Sequence, residues 1–173
     1  SSQWSDFDED GFGDQPDGLN GDDCVSVYGT SSNDRTGCSD TDGDGYSNPD
    51  SSWGVSQGAD AFATDSTQHS DLDGDGYGDN SEGFQADVCP NSYGDSYQDR
   101  FGCLDTDGDG WSDEVDMIPL DATQYQDQDG DGYGDSILGN YPDSCIDEYG
   151  LSSEQIFGCP DSDGDGWGDE LDL

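Results

Sequence analysis

The chain has 173 residues, and 44 Asp and Glu against 2 Lys and Arg give it a formal net charge of −42. Hydrophobic residues make up only 28 % of it, which excludes an ordinary globule built around one apolar core. The shortage of Lys and Arg excludes nucleic acid and anionic membrane surfaces as partners, and no apolar stretch is long enough for membrane insertion. Cations are the partners that this charge favours.

The acidic residues are mostly of one kind, because 38 are Asp and 6 are Glu. A charged surface that only needs solvation would use both residues. Asp is the shorter carboxylate, and at alternate positions of a tight turn it directs several oxygens to one point. The composition therefore indicates cation ligation.

An internal repeat organises the chain. The string Asp-x-Asp-x-Asp-Gly occurs six times in three pairs, and the two members of each pair start 34 residues apart. The six starts are Asp6, Asp40, Asp71, Asp105, Asp127 and Asp161. We predict three repeats, at 1–65, 66–121 and 122–173, with an insertion at 51–59 in the first. Since the chain begins and ends within the same linker of the repeat, we expect a piece of a longer array, or a homo-oligomer or filament joined through the chain ends.

Each string fits the start of a twelve-residue calcium loop, in which positions 1, 3 and 5 supply side-chain oxygens and position 6 is a turn-forming Gly. The carboxylates at positions 1, 3 and 5 are Asp6, Asp8, Asp10, Asp40, Asp42, Asp44, Asp71, Asp73, Asp75, Asp105, Asp107, Asp109, Asp127, Asp129, Asp131, Asp161, Asp163 and Asp165. Position 7, which supplies a main-chain carbonyl, is occupied by Phe12, Tyr46, Tyr77, Trp111, Tyr133 and Trp167. Position 9 is occupied by Asp14, Asp79, Asp113, Asp135 and Asp169, with Asn48 in the sixth loop.

The last carboxylate of each loop is less regular. Position 12 is acidic at Asp17, Glu82, Asp116 and Asp172, but it is Leu138 in one loop and Ser51 in another. An alternative recurs sixteen residues after the first Asp of every repeat, at Asp22, Asp87 and Asp143, and we expect these three to close the first loops. For the loop that starts at Asp40, either Asp50 or, across the insertion, Asp60 has to serve.

Ligation by oxygen alone favours a hard cation, and six or seven oxygens from a flexible loop suit calcium better than magnesium. We therefore predict at least six calcium ions. Zinc and copper sites would need His or thiolate ligands, and His69 is the only histidine. We interpret His69 as a structural ring, and we expect the rings at position 7 to pack on neighbouring loops or disulfides. The alternative for those rings is an aromatic ladder that binds carbohydrate or a partner.

Six cysteines at regular spacing in an acidic chain indicate disulfides and an extracellular or cell-surface location. Six cysteines allow fifteen pairings, but the recurrence of a 14-residue separation selects Cys24–Cys38, Cys89–Cys103 and Cys145–Cys159. A Tyr-Gly pair lies between the two cysteines of each predicted disulfide and is typical of a turn.

The strings Asp71-Leu-Asp-Gly-Asp-Gly-Tyr-Gly-Asp79 and Cys103-Leu-Asp-Thr-Asp-Gly-Asp-Gly-Trp-Ser-Asp113, with Asp87-Val-Cys89-Pro90, resemble thrombospondin type 3 calcium-binding repeats. They are especially similar to the long arrays in surface proteins of marine bacteria and archaea. The resemblance covers nearly the whole chain. It implies an irregular fold wrapped around calcium ions and stabilised by disulfides, with little regular secondary structure and a role as a stalk or in adhesion.

The leading functional hypothesis is an extracellular structural protein that calcium makes rigid: an elongated rod that acts as a spacer, stalk or filament segment. The alternative is a calcium-dependent adhesion module, in which Trp53 of the insertion or other exposed aromatic rings bind a glycan or a protein at the cell surface. An enzyme is not expected, since one histidine allows neither a Ser-His-Asp nor a Cys-His arrangement and the carboxylates are assigned to metal.

Overall fold

The computed structural model describes residues 5–171, and almost all of this range consists of turns and loops. Its regular structure is limited to a single turn of 3₁₀ helix at Val55–Gln57. Isolated one-residue bridges join Gly13 to Gly21, Gly78 to Ala86, Asp143 to Phe157 and Glu154 to Trp167. The prediction of an irregular fold is confirmed. No helix among the described residues is long and apolar enough to cross a membrane.

The sequence of the acidic loops explains why helices and strands are scarce. Glycines at positions 4 and 6 of a loop adopt left-handed backbone angles, for example φ +83° at Gly43 and +96° at Gly45. The Asp side chains between them accept hydrogen bonds from nearby main-chain N–H groups, which removes those donors from any ladder. Both effects favour consecutive tight turns.

Disulfides cross-link the chain, and no cysteine in the described range is free. Cys24 is bonded to Cys38 and Cys145 to Cys159, with Cα–Cα distances of 5.0 and 5.1 Å. Cys89 and Cys103 are disulfide-bonded as well. The three disulfides agree with a disulfide-stabilised fold in an oxidising, extracellular type of environment.

The interior is polar. Four hydrophobic residues in the described part of the chain are fully buried: Cys38, Ala59, Cys103 and Cys159. The other buried side chains belong to Asp, Ser and Gln. Ser31, for instance, is wholly buried, where its hydroxyl donates to the Cys38 carbonyl at 3.0 Å and accepts from the Cys38 N–H at 2.9 Å. Apolar burial therefore contributes little to the stability of this fold.

The chain forms two compact units, Ser1–Asn91 and Ser92–Leu173. Each contains three acidic loops and one linker between predicted repeats. In the first unit, the Ala61 N–H donates to the His69 carbonyl at 3.0 Å, and the rings of Tyr46 and His69 stack at 3.9 Å. In the second, the Met117 N–H donates to the Tyr125 carbonyl at 3.2 Å. The repeat boundaries at 65/66 and 121/122 stay a prediction about the sequence, and packing within each unit is continuous across them.

Candidate metal sites

The main chain of each acidic loop turns the carboxylates inward. Asp40 illustrates the pattern, because its Oδ1 accepts from the Gly43 N–H at 2.8 Å and its Oδ2 from the Gly45 N–H at 3.1 Å. The bond from the position 6 Gly to the position 1 Asp is present in all six loops, at 2.7–3.1 Å. The position 5 Asp likewise accepts from the N–H at position 7 in all six, at 2.8–2.9 Å.

This geometry brings three carboxylates together. In at least five loops, one oxygen from each Asp at positions 1, 3 and 5 lies within 4.8 Å of the others. These loops start at Asp6, Asp40, Asp71, Asp105 and Asp127. The loop that starts at Asp161 has the same main-chain hydrogen bonds at positions 4, 6 and 7. Three carboxylates at this separation repel one another strongly unless a cation lies between them.

A fourth carboxylate reaches five of the loops by one recurrent arrangement. Its residue donates its N–H to the carbonyl at position 8 of the loop, at 2.8–2.9 Å, and its Oδ1 accepts the N–H two residues later, at 2.6–2.7 Å. We call these residues the closing aspartates: Asp22, Asp60, Asp87, Asp116 and Asp143. The chain between a loop and its closing aspartate differs in length from loop to loop, but the end point is the same.

The second oxygen of four closing aspartates has no hydrogen-bond partner. Oδ2 of Asp22, Asp60, Asp87 and Asp143 is buried and unpaired, and these residues are only 1–6 % exposed. Unpaired buried oxygens also occur at position 3 of five loops, in Asp8, Asp42, Asp73, Asp107 and Asp129. A buried carboxylate oxygen without a partner is strongly destabilising. A hard cation in each loop would satisfy these atoms, so the residues fit a calcium ion.

The environment of the closing aspartates opposes their negative charge. Burial, together with the nearby carboxylates of Asp44 and Asp42, raises the pKa of Asp60 to about 6. Burial raises the pKa of Asp87 to about 6 as well, where Asp75 and Asp73 contribute. The pKa values of the other three are raised for the same reasons, at Asp22, Asp116 and Asp143.

These shifts predict an unusual pH dependence for the calcium-free protein. Because the folded-state pKa of Asp60 and Asp87 lies above the ordinary value of 3.8, the folded state binds protons more tightly than the unfolded state. Their stabilising contribution is fully present below pH 3.8 and is lost as the pH rises through about 6. Thermal unfolding in a chelator should therefore show a higher melting temperature at pH 4.5 than at pH 7. A melting temperature that rises with pH would contradict this assignment.

Several candidate ligands lie elsewhere. Asp17 and Glu82 of position 12 are exposed, and so is Leu138, whose side chain has no ligating atom. Asp50 is also exposed. Hydrogen bonds from Ser52 lower its pKa most, and the ion pair with Arg35 at 2.8 Å lowers it as well. Of the two candidates for the loop that starts at Asp40, only Asp60 has the geometry of a closing aspartate. Asp172 lies outside the described residues.

The side chains at position 9 brace their own loops. Oδ1 of Asp113 accepts the Thr106 N–H at 2.7 Å, and its Oδ2 accepts the Thr106 hydroxyl at 2.6 Å. Asp169 does the same with Ser162. The position 2 N–H also donates to the position 9 side chain of Asp14, Asn48, Asp79 and Asp135. Because these oxygens already accept hydrogen bonds from position 2, the structure supports metal ligation by position 9 less strongly than by positions 1, 3 and 5.

Three of the rings at position 7 pack on other rings of the same unit. Tyr46 stacks on His69, and Trp111 stacks on Tyr125 with ring centroids 4.5 Å apart. Tyr133 lies against Phe157 at 5.7 Å. These contacts bury part of each loop and fix its position next to the following linker or the disulfide loop.

The glycine of the Tyr-Gly pair contacts the site in a way that the sequence did not reveal. The N–H groups of Gly29 and Gly150 donate to Oδ2 of Asp10 and Asp131 at position 5, each at 3.2 Å. The recurrence of Tyr-Gly in every repeat was the available signal, but it does not reveal the partner.

Gly29→Ala should destabilise the first unit, because a Cβ on Gly29 would lie 2.0 Å from the Cys38 carbonyl oxygen. We expect a loss of about 2–3 kcal/mol, typical of overpacking and of a lost hydrogen bond to a charged group. Calcium-saturated thermal or urea unfolding measures this loss. Gly54→Ala is the matched control, since its Cβ would approach only the end of the Gln57 side chain, at 3.2 Å. Equal stability of the two variants would contradict the close packing.

Comparison with known proteins adds no family assignment. No family model matches the chain, and no curated protein matches it. The resemblance to thrombospondin type 3 repeats therefore rests on the motifs, and the function proposed below rests on the geometry of the chain's own residues.

Proposed function

We propose that the protein is an extracellular calcium-binding structural protein in which each acidic loop holds a calcium ion. The observation that carries this proposal is the unpaired, buried Oδ2 of four closing aspartates, next to three convergent carboxylates. Such an arrangement is unstable in the absence of a cation. All the available ligand atoms are oxygens, and this favours calcium.

Each site would combine side-chain oxygens from positions 1, 3 and 5 with the closing aspartate and the carbonyl at position 7. The bound ion would supply positive charge at the centre of each loop. The chain supplies orientation, because its main-chain N–H groups hold the carboxylates at positions 1 and 5 before any ion arrives. This preorganisation reduces the entropic cost of binding.

The structural role that we propose is a spacer or stalk segment, also suited to head-to-tail assembly. Six divalent ions would reduce the net charge of −42 to about −30. Self-repulsion of this size resists collapse and supports an extended form. The disulfides support an oxidising environment outside the cell.

The alternative function, calcium-dependent adhesion through Trp53, has less support. The indole N–H of Trp53 donates to Asp34 Oδ2 at 3.0 Å, and the guanidinium of Arg35 lies over the indole at 5.6 Å. Trp53 thus has a structural role in the insertion. We therefore propose metal-dependent architecture as the function.

Equilibrium dialysis with calcium, followed by competition with magnesium, tests this function. We expect at least six calcium ions per chain with dissociation constants on the order of 10⁻⁴ to 10⁻³ M, the range of extracellular modules. Tenfold more magnesium should displace only a minor fraction of them. Binding of fewer than four ions, or displacement by equimolar magnesium, would contradict calcium as the ligand.

A further inference from the structure

Two linker glutamines are buried although their side chains are polar and uncharged. Gln68 is 1 % exposed, and its amide makes three hydrogen bonds to the main chain that follows the loop starting at Asp71. Its Oε1 accepts the Asn80 N–H at 2.9 Å. Its Nε2 donates to the carbonyls of Asn80 and Phe84, at 3.1 and 3.3 Å.

The second unit repeats this arrangement with different neighbours. Gln124 is also 1 % exposed, its Oε1 accepts the Ser136 N–H at 2.8 Å, and its Nε2 donates to the carbonyls of Ser136 and Asn140 at 3.1 and 3.0 Å. The same three bonds form in both units, so this arrangement is a feature of the repeat and not of one linker.

Each glutamine side chain packs against the glycine at position 8 of the following loop, which binds a closing aspartate. A Cβ on Gly78 would lie 2.2 Å from the Gln68 amide, and a Cβ on Gly134 would lie 2.3 Å from that of Gln124. Those glycines are position 8 of their loops, and their carbonyls accept the N–H groups of Asp87 and Asp143. The glutamine thus supports the residue that anchors the closing aspartate of the next loop.

The same linkers are attached to the closing aspartate of the preceding loop. Oδ1 of Asp116 accepts the Ile118 N–H at 2.7 Å, and the Ile118 carbonyl accepts the Asp121 N–H at 3.0 Å. The Asp121 carbonyl then accepts the main-chain N–H of Gln124 at 2.8 Å. In the first unit, Asp60, Phe62, Asp65 and Gln68 form the same series of bonds. One short segment therefore joins two closing aspartates.

We propose that Gln68 and Gln124 are positioning residues that couple neighbouring metal sites across the boundary between repeats. This proposal rests on the proposed function. An ion in the loop at Asp105 would fix Asp116, and the linker would transmit that order through Gln124 to Asp143 of the loop at Asp127. Asp60, Gln68 and Asp87 would couple the loops at Asp40 and Asp71 in the same way. Binding at one loop of a pair therefore favours binding at the other.

A double-mutant cycle on the full chain tests this coupling. The amide resonance of Gly132, whose N–H donates to Asp127 at 2.8 Å, reports calcium binding at its own loop in NMR titrations. Asp107→Asn removes a ligand from the neighbouring loop and should weaken binding at Gly132 about 5- to 10-fold, within the usual range of coupling between sites. In the Gln124→Ala background, Asp107→Asn should change binding at Gly132 less than about 2-fold.

Matched controls separate coupling from a general structural defect. Gln126→Ala alters an exposed glutamine of the same linker and should leave the cycle unchanged. Asp163→Asn should weaken binding at Gly132 equally with and without Gln124→Ala, because residues 150–154 join those two loops through Asp131 and Gly166. If Gln124→Ala does not fold, Gln124→Met replaces it, because methionine keeps the side-chain volume of glutamine. The cycle of Gln68→Ala with Asp42→Asn, measured at the Gly76 amide, repeats the test in the first unit.

The outcomes distinguish this proposal from the proposed function. Absence of any calcium-induced shift at the loop glycines would overturn the calcium function itself. Binding at Gly132 that is insensitive to Asp107→Asn, or a sensitivity that survives Gln124→Ala, would overturn the coupling and leave the calcium function intact.

Discussion

Removal of calcium at neutral pH is expected to expand the chain and to lower its melting temperature strongly while the disulfides stay intact. Four fully buried hydrophobic residues among those described cannot offset the conformational entropy of a chain of this length. At tenfold excess over the dissociation constant, each calcium ion would stabilise the fold by about 1.4 kcal/mol. Six such sites would contribute about 8 kcal/mol, which is comparable to the whole stability of a typical domain.

Small-angle scattering and near-ultraviolet circular dichroism, recorded in calcium and in excess chelator, measure this effect. We expect a larger radius of gyration and weaker aromatic signals in chelator, because the stacks of Tyr46 on His69 and of Trp111 on Tyr125 depend on ordered loops. Sodium chloride at high concentration is the control, since it screens charge without filling the sites. An unchanged radius after chelation would show that the fold does not depend on the ions.

The regular part of the candidate sites could be predicted from the sequence because it depends on short-range geometry. Asp at positions 1, 3 and 5 with Gly at position 6 encloses a common point whatever the rest of the chain does. The closing aspartates of the first loops were also accessible, since Asp22, Asp87 and Asp143 recur at one spacing. The little regular secondary structure followed from the same glycine-rich turns.

Contacts that depend on longer-range packing could not be predicted in this way. Spacing alone left Asp50 and Asp60 as alternative ligands for the loop that starts at Asp40. The hydrogen bond from the Asp60 N–H to the Ser47 carbonyl, which joins the two ends of the insertion, identifies Asp60 as the closing residue. Gln68 and Gln124 recur in the linkers, but a recurrent glutamine does not show whether its amide is buried. The position 9 carboxylates matched a ligand template, whereas their hydrogen bonds to position 2 depend on how each loop closes.

Asp87→Asn is expected to change stability in opposite directions with and without calcium. In the calcium-free protein the variant removes a buried negative charge that lies beside Asp73 and Asp75, so the folded state should gain about 1 kcal/mol or more. With calcium, loss of a charged ligand should cost about 2–3 kcal/mol, which corresponds to about 30- to 150-fold weaker binding at the loop that starts at Asp71. The Gly76 amide, which donates to Asp71 at 3.1 Å, reports that loop in NMR titrations.

Glu82→Gln is the matched control, because Glu82 is the exposed position 12 residue of the same loop. Its substitution removes the same formal charge without touching the buried oxygen, so binding at Gly76 should weaken less than about 2-fold, through surface electrostatics alone. If Glu82→Gln weakened binding more than Asp87→Asn, position 12 would close the loop, and the unpaired Oδ2 of Asp87 would need another cause. A reversed sign of the stability change in calcium-free protein would show that burial does not oppose the charge of Asp87.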